Sequence, residues 1–143
     1  MNTRKEYLSI HINDQMFGIP ILQVQDVLGE QKITQIPLAS SAIAGSLNLR
    51  GRIVTAIDVR KCLGLPRTET TSKDMSVVVE HNGELYSLII DSIGDVLSLK
   101  IKDFEKNPAT LDPLWRDISQ GIFRLENNLL VVLDIPKLLS TIH

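Results

Sequence analysis

The chain contains one β-rich unit written twice, and this repeat restricts the fold more than any other feature. Val77-Val78-Val79-Glu80-His81 runs into Asn82-Gly83 and then Tyr86-Ser87-Leu88-Ile89-Ile90. Asn-Gly tolerates the positive φ of a type I′ turn, so a hairpin is predicted here. An earlier hairpin follows from Tyr7-Leu8-Ser9-Ile10-His11-Ile12, the turn residues Asn13-Asp14, and Met16-Phe17-Gly18-Ile19. Tyr86 overlays Phe17 at an offset of 69 residues, and the register holds from Asp26-Val27-Leu28 to Asp95-Val96-Leu97. Further along, Gly45–Asp58 overlays Gly121–Asp134 at an offset of 76, each segment being a strand, a turn and an apolar strand ending in aspartate. The second copy therefore carries 76 − 69 = 7 extra residues in its middle, where Asp112-Pro113-Leu114-Trp115 has the makings of a helix start.

Several short strands at close spacing leave exposed edges, which closure into a small barrel removes. The predicted fold is mostly β, with two small β-barrel subdomains side by side and short helices at Val59–Leu63 and Ile135–Leu139. The chain is expected to be a single domain, 1–143, with the first barrel over about 14–66 and the second over about 75–143. Residues 67–74, polar and without periodicity, are the expected linker, and the N-terminal strand is allowed to exchange between barrels. Units this small have marginal cores, so the two are expected to bury apolar surface against each other.

Composition removes several function classes. A net charge of −2 over 143 residues provides no basic field, so nucleic acid is not an expected partner. The opening Met1–Glu6 has no apolar signal-peptide core, and the longest apolar run, Leu129–Leu133, is far below the roughly 20 residues of a spanning helix. Neither export nor membrane insertion is expected, and the lone Cys62 fits a reducing, cytoplasmic setting.

The chemistry of catalysis is sparse. His11 and His81 flank the two hairpin turns at nearly equivalent positions and read as strand residues, while His143 is terminal. No Cys/His metal spacing, phosphate-cradling glycine loop or nucleophile elbow occurs, so no catalytic residue, cofactor or metal is expected. Asp58 and Asp134 sit at strand-to-helix junctions, where a carboxylate caps free N–H groups. Cys62 aligns with Leu138 and is expected in an apolar slot. Trp115 could serve equally as an interface anchor or as a cover over the core.

An internal repeat also separates what folding needs from what it does not. Features in both copies serve the fold; features in one copy are candidates for function. Asn48-Leu49-Arg50-Gly51 corresponds to Arg124-Leu125-Glu126-Asn127. Leucine is kept, and Gly51 and Asn127 both suit a positive φ, whereas Arg50 against Glu126 reverses the charge. An arginine held at the lip of a rigid hairpin suits a charge-assisted contact with a partner protein.

At this point the sequence resembles the CheW family of chemotaxis coupling proteins. Gly45-Ser46-Leu47-Asn48-Leu49-Arg50-Gly51-Arg52-Ile53-Val54-Thr55-Ala56-Ile57-Asp58 is similar to that family's G-x-x-N-L-R-G-x-I-x-P-x-x-D pattern, with Thr55 where proline is usual. Phe17-Gly18-Ile19 with Val24-Gln25-Asp26-Val27, Ile36-Pro37, and Asp91-Ser92-Ile93-Gly94-Asp95-Val96-Leu97 fit its other blocks, with Asp26 for glutamate. The resemblance implies two SH3-like five-stranded β-barrels. It also implies a non-enzymatic adaptor between the cytoplasmic tip of methyl-accepting chemoreceptors and the regulatory domain of the histidine kinase CheA. Receptor or kinase contact is implied for Val24, Asp26, Gly45, Asn48 and Arg50, with kinase contact mainly on the first barrel. The alternative is a paralogue serving another kinase pathway, such as type IV pilus (twitching) motility.

Overall fold

The computed structural model describes residues 3–29, 31–37, 41–65 and 75–142. The expected linker, 67–74, lies outside the described residues. The first copy contributes β1 (Arg4–Ile12), β2 (Gln15–Pro20), β3 (Val24–Leu28), β4 (Ile43–Leu49), β5 (Arg52–Asp58) and helix α1 (Val59–Cys62). The second contributes β6 (Met75–His81), β7 (Glu84–Ile90), β8 (Ser92–Lys100), α2 (Pro113–Asp117), β9 (Ser119–Arg124), β10 (Leu129–Leu133) and α3 (Ile135–Ser140).

Local chemistry explains these elements. The β6–β7 hairpin closes between His81 and Glu84, with Asn82 at φ 53° and Gly83 at φ 81°, and β1–β2 closes between Ile12 and Gln15 with Asn13 at φ 55°. Each helix begins on an aspartate. Asp58 accepts from the N–H of Arg60, Asp112 from that of Leu114, and Asp134 from that of Lys137, satisfying donors that a first turn leaves orphaned. Gly64, at φ 72°, ends α1 by donating to the carbonyl of Lys61.

The strands form two five-stranded sheets, ordered β8-β1-β2-β10-β9 and β3-β6-β7-β5-β4. Each sheet takes its hairpin from one copy and its other three strands from the other copy. The sheets therefore cut across the expected units 14–66 and 75–143: β1, the strand allowed to exchange, pairs with β8 of the second copy, and β2 goes with it. The chain leaves each hairpin by crossing to the opposite sheet, at Ile21–Gln23 after β2 and at Asp91 after β7. What stitches the exchange is parallel pairing in the middle of each sheet, Val131 with Phe17 and Ala56 with Ser87. Both pairs lie in strands buried on both faces, as parallel strands usually are.

Continuous barrel closure was expected, but the outer strands of each sheet are not ladder partners. One isolated bridge spans each gap instead, Thr34 to Ser46 and Glu105 to Ile122, where the chain beyond β3 or β8 swings round to β4 or β9. The two bridges are repeat equivalents, and each is made possible by a glycine. A Cβ on Gly45 (φ 154°) would lie 2.3 Å from the carbonyl oxygen of Thr34, and one on Gly121 (φ 158°) 2.5 Å from that of Glu105.

The main apolar core runs between the sheets. It gathers Leu8, Ile10 and Phe17 from the first, Ile57, Val77 and Leu88 from the second, and Leu138 and Leu139 from α3. Each sheet keeps only a small cluster of its own, around Leu47, Val54 and Val78 in one and around Tyr7, Phe123 and Leu130 in the other. Neither sheet has a complete core without the other.

Candidate protein-docking site

β4 and β5 meet at a two-residue turn between the paired Leu49 and Arg52. Arg50 (φ 52°) and Gly51 (φ 85°) both occupy left-handed conformations, as a type I′ turn requires. The Oδ1 of Asn48 accepts from the Gly51 N–H at 2.9 Å and braces the turn. Asn48 thus holds the lip, and Arg50 projects from it.

Asp26 reaches the same place from β3. A bulge between Val24 and Asp26 shifts the β3–β6 register, which re-aims the side chains that follow. Arg50 Nη2 lies 3.0 Å from Asp26 Oδ2, the arginine side chain 77% exposed and the aspartate 27%. That oxygen accepts no aligned N–H, so the contact is Coulombic rather than a fork-to-fork pair, worth about 0.2–1 kcal/mol at such exposure. The other carboxylate oxygen accepts from the Val27 N–H at 2.8 Å. The guanidinium therefore remains mostly in water, tethered only lightly. Beside it lies a shallow recess of about 140 Å³, lined by Gln25, Asp26, Leu49, Arg50, Arg52, Val78 and Leu85.

The five residues expected at the site divide into groups. Asp26, Asn48 and Arg50 come together at the lip. Val24 opens β3, pairs with Val79 and packs half-buried on the main core. Gly45 is buried beneath the Thr34 bridge and does not reach the surface. Its counterpart Gly121 shares the same role, so the fold alone accounts for it.

The second lip does not copy the first. Its ladder stops at Arg124–Leu129, and Leu125 donates to the carbonyl of Asn128 across a longer loop. Asn127 was expected to take a positive φ, but neither it nor Glu126 does so. Without glycine after the first turn residue, the chain relaxes into a four-residue connection.

The two most exposed large apolar residues among those described were not singled out by the sequence reading. Ile53, 75% exposed, lies opposite Asn48 beside the lip, and Leu22 is 90% exposed on the crossover that precedes β3. Ile53 aligns with Leu129, apolar in both copies, and so gave no signal. Leu22 aligns with Asp91, a contrast that would have marked it.

The remaining candidates fall into the fold. The Trp115 indole N–H donates to the Leu63 carbonyl at 3.1 Å, and its ring tilts against Phe17 at 5.4 Å, so the inserted helix α2 covers the core. Burial, assisted by the charge of Asp58, pushes the Cys62 thiol up to about 11, which leaves little reactive thiolate near neutrality. His11 lies in β1, and His81 ends β6. Among the described residues, no three His, Cys, Asp or Glu are grouped to hold a metal ion, and no helix is long and apolar enough to cross a membrane.

Comparison with known proteins bears on the family and the fold. Residues 6–143 match the family model of the CheW-like domain. The chemotaxis protein CheW of Klebsiella aerogenes is 29% identical over 96% of this chain and 82% of its own length. That of Bacillus subtilis is 27% identical over 98% and 90%. Protein PilI of Pseudomonas aeruginosa is 25% identical over 87% and 70%. The crystal structure of the scaffolding protein TtCheW from Thermoanaerobacter tengcongensis superimposes with a TM-score of 0.82 at 25% identity, covering 90% of this chain and 88% of that one.

Proposed function

From the premise that the chain belongs to the CheW-like family of non-catalytic scaffolds, we propose that it couples transmembrane chemoreceptors to the histidine kinase CheA. Its working place is the cytoplasmic face of membrane-associated receptor arrays. It contributes binding surfaces and fixed geometry, so that receptor and kinase meet at high effective concentration. Signals then pass as differences in contact energy between kinase-on and kinase-off arrangements.

The observation that carries this reading is the first lip: a mostly solvated guanidinium on a tightly braced turn, present in one copy and charge-reversed in the other. Arg50 is suited to a carboxylate on the partner, with Asp26 holding it ready, Asn48 bracing the turn and Val24 flanking the strand. Gly45 supports the same surface from below.

The test is reconstitution of receptor signalling fragments, kinase and this chain on vesicles, followed by co-sedimentation and receptor-controlled kinase activity. Arg50→Ala is expected to weaken co-assembly, and Glu126→Ala to leave it unchanged. Equal behaviour of the two variants would remove the lip from the site. The likeness to Protein PilI carries a second reading, a paralogue serving another kinase pathway such as twitching motility. A deletion strain that swims up gradients normally but fails to twitch would favour it.

A further inference from the structure

The chain passes between the sheets at two repeat-equivalent places, and they are secured very differently. At the first, Ile21–Gln23, the crossover has no side-chain cap and carries the exposed Leu22. At the second, Asp91 takes the position of Leu22. Its Oδ1 accepts from Arg60 Nε at 2.8 Å, and its Oδ2 accepts from Arg60 Nη2 and from the Asn13 N–H at 2.8 Å. The Asp91 N–H in turn donates to the carbonyl of His11.

One carboxylate therefore joins three elements: the helix α1 that extends the second sheet, the crossover itself, and the β1–β2 turn of the first sheet. The pair is largely withdrawn from solvent, with the Arg60 side chain 16% exposed and Asp91 27%. Arg60 aligns with Pro136 in the second copy, so the repeat has no equivalent clamp.

We propose that the Arg60–Asp91 clamp sets the orientation of the two sheets, while the apolar core between them supplies the adhesion. The main core is built from aliphatic side chains of both sheets, and the hydrophobic effect is non-directional. The interlocked side chains resist slippage, but their contacts carry no angular preference of their own. A bidentate arginine–carboxylate pair with a backbone N–H on the same oxygen is directional in plane and in distance. A withdrawn ion pair contributes little net stability against an apolar replacement, and its best-attested use is to select one register. With the Asp91 crossover clamped, the uncapped Leu22 crossover is the more compliant of the two, immediately before β3 and Asp26.

The test needs no partner protein, so its failure is separable from failure of the adaptor reading. Spin labels go on Glu80→Cys in the second sheet and Lys137→Cys behind the first, both exposed, in a Cys62→Ser background. Electron–electron distance distributions are then compared for the parent, Asp91→Asn, and the double variant Arg60→Met with Asp91→Leu. The parent is expected to give one narrow distance. The double variant, which removes both charges of the pair together, should melt within about 4 °C of the parent yet give a broadened or split distribution, with Asp91→Asn between them. An unchanged narrow distance in the double variant overturns the proposal. So does a double variant that no longer folds, because the pair would then serve stability rather than orientation.

Discussion

The lips at 49–52 and 125–128 stand at the ends of equivalent hairpins, yet only the first is drawn into a two-residue turn. That turn places Arg50 at φ 52°, a conformation that costs a residue with a Cβ roughly 1–2 kcal/mol and that Asn or Gly would occupy more cheaply. The second lip shows that the hairpin is satisfied without the strain. Strain retained where the fold does not need it points to a role for the side chain so displayed. The buried glycines teach the complement. Gly45 and Gly121 are matched in conformation and in what a Cβ would strike, so their presence follows from the fold in both halves.

The largest effect is expected where the copies agree. Gly45→Ala and Gly121→Ala each drive a methyl into a bridge carbonyl at 2.3 or 2.5 Å and should each cost about 3 kcal/mol, measured by urea denaturation. Similar losses in the two variants would confirm a shared structural duty. A Gly45→Ala protein that keeps its stability but no longer co-assembles with receptor would instead make that glycine a contact in its own right.

The next effect is expected where the copies differ. Arg50→Asn places a residue suited to the left-handed region at the lip and should stabilise the chain by about 0.5–1 kcal/mol while weakening co-assembly. Glu126→Ala, on a relaxed and exposed loop, should change stability by less than about 0.5 kcal/mol and leave assembly intact. Opposite signs for stability and binding in one variant separate a recognition residue from a folding residue. Full coupling by Arg50→Asn would deny the guanidinium any partner.

Much of this was readable in the sequence. Asn82-Gly83, the three aspartate caps and the doubled pattern ending at Asp58 and Asp134 are local, and local chemistry is written in adjacent residues. Exchange was allowed for the N-terminal strand alone; the swap of a whole hairpin in each direction was not readable, because period-two alternation marks the face on which a side chain lies but not the sheet its strand joins. Asp26 was flagged by resemblance, but its meeting with Arg50 depends on the bulge after Val24, which leaves no mark in composition. Nor did alignment of the copies expose the Arg60–Asp91 clamp, since Leu22 and Pro136 had to be read as a pair.

An effect of comparable size is expected in the central strands, where the halves fill one volume in two ways. In the first sheet Gly18 pairs with Val132 and leaves room for Leu130; in the second, Ser87 stands in its place, paired with Ala56. The Ser87 hydroxyl is buried without a hydrogen-bond partner. Ser87→Ala should therefore stabilise the chain by about 1 kcal/mol. Gly18→Ala should destabilise by a similar amount, about 1 kcal/mol, because its Cβ would press on Leu130 Cδ2 at 3.1 Å. Urea midpoints moving the same way would show that the two volumes are not complementary solutions.

The slot shared by Cys62 and Leu138 gives the finest contrast, visible only in alkali. Leu138 is fully buried and cannot ionise, whereas the Cys62 thiol is raised from 9.0 to about 11 by burial and then by the nearby charge of Asp58. In the unfolded chain the thiol loses its proton near its ordinary value; in the folded chain it keeps it longer. The proton-bound folded form is thus favoured at low pH, and that contribution is lost as pH rises from about 9 to about 11. Tyr7 and Tyr86 are also raised by burial and are common to both proteins, so the stability of the parent must be compared with that of Cys62→Ser as pH rises through about 9 to about 11. The serine variant should fall less steeply. Parallel curves would mean that the thiol ionises as freely in the folded chain as in the unfolded one, and that the slot is open to water in a way its leucine counterpart is not.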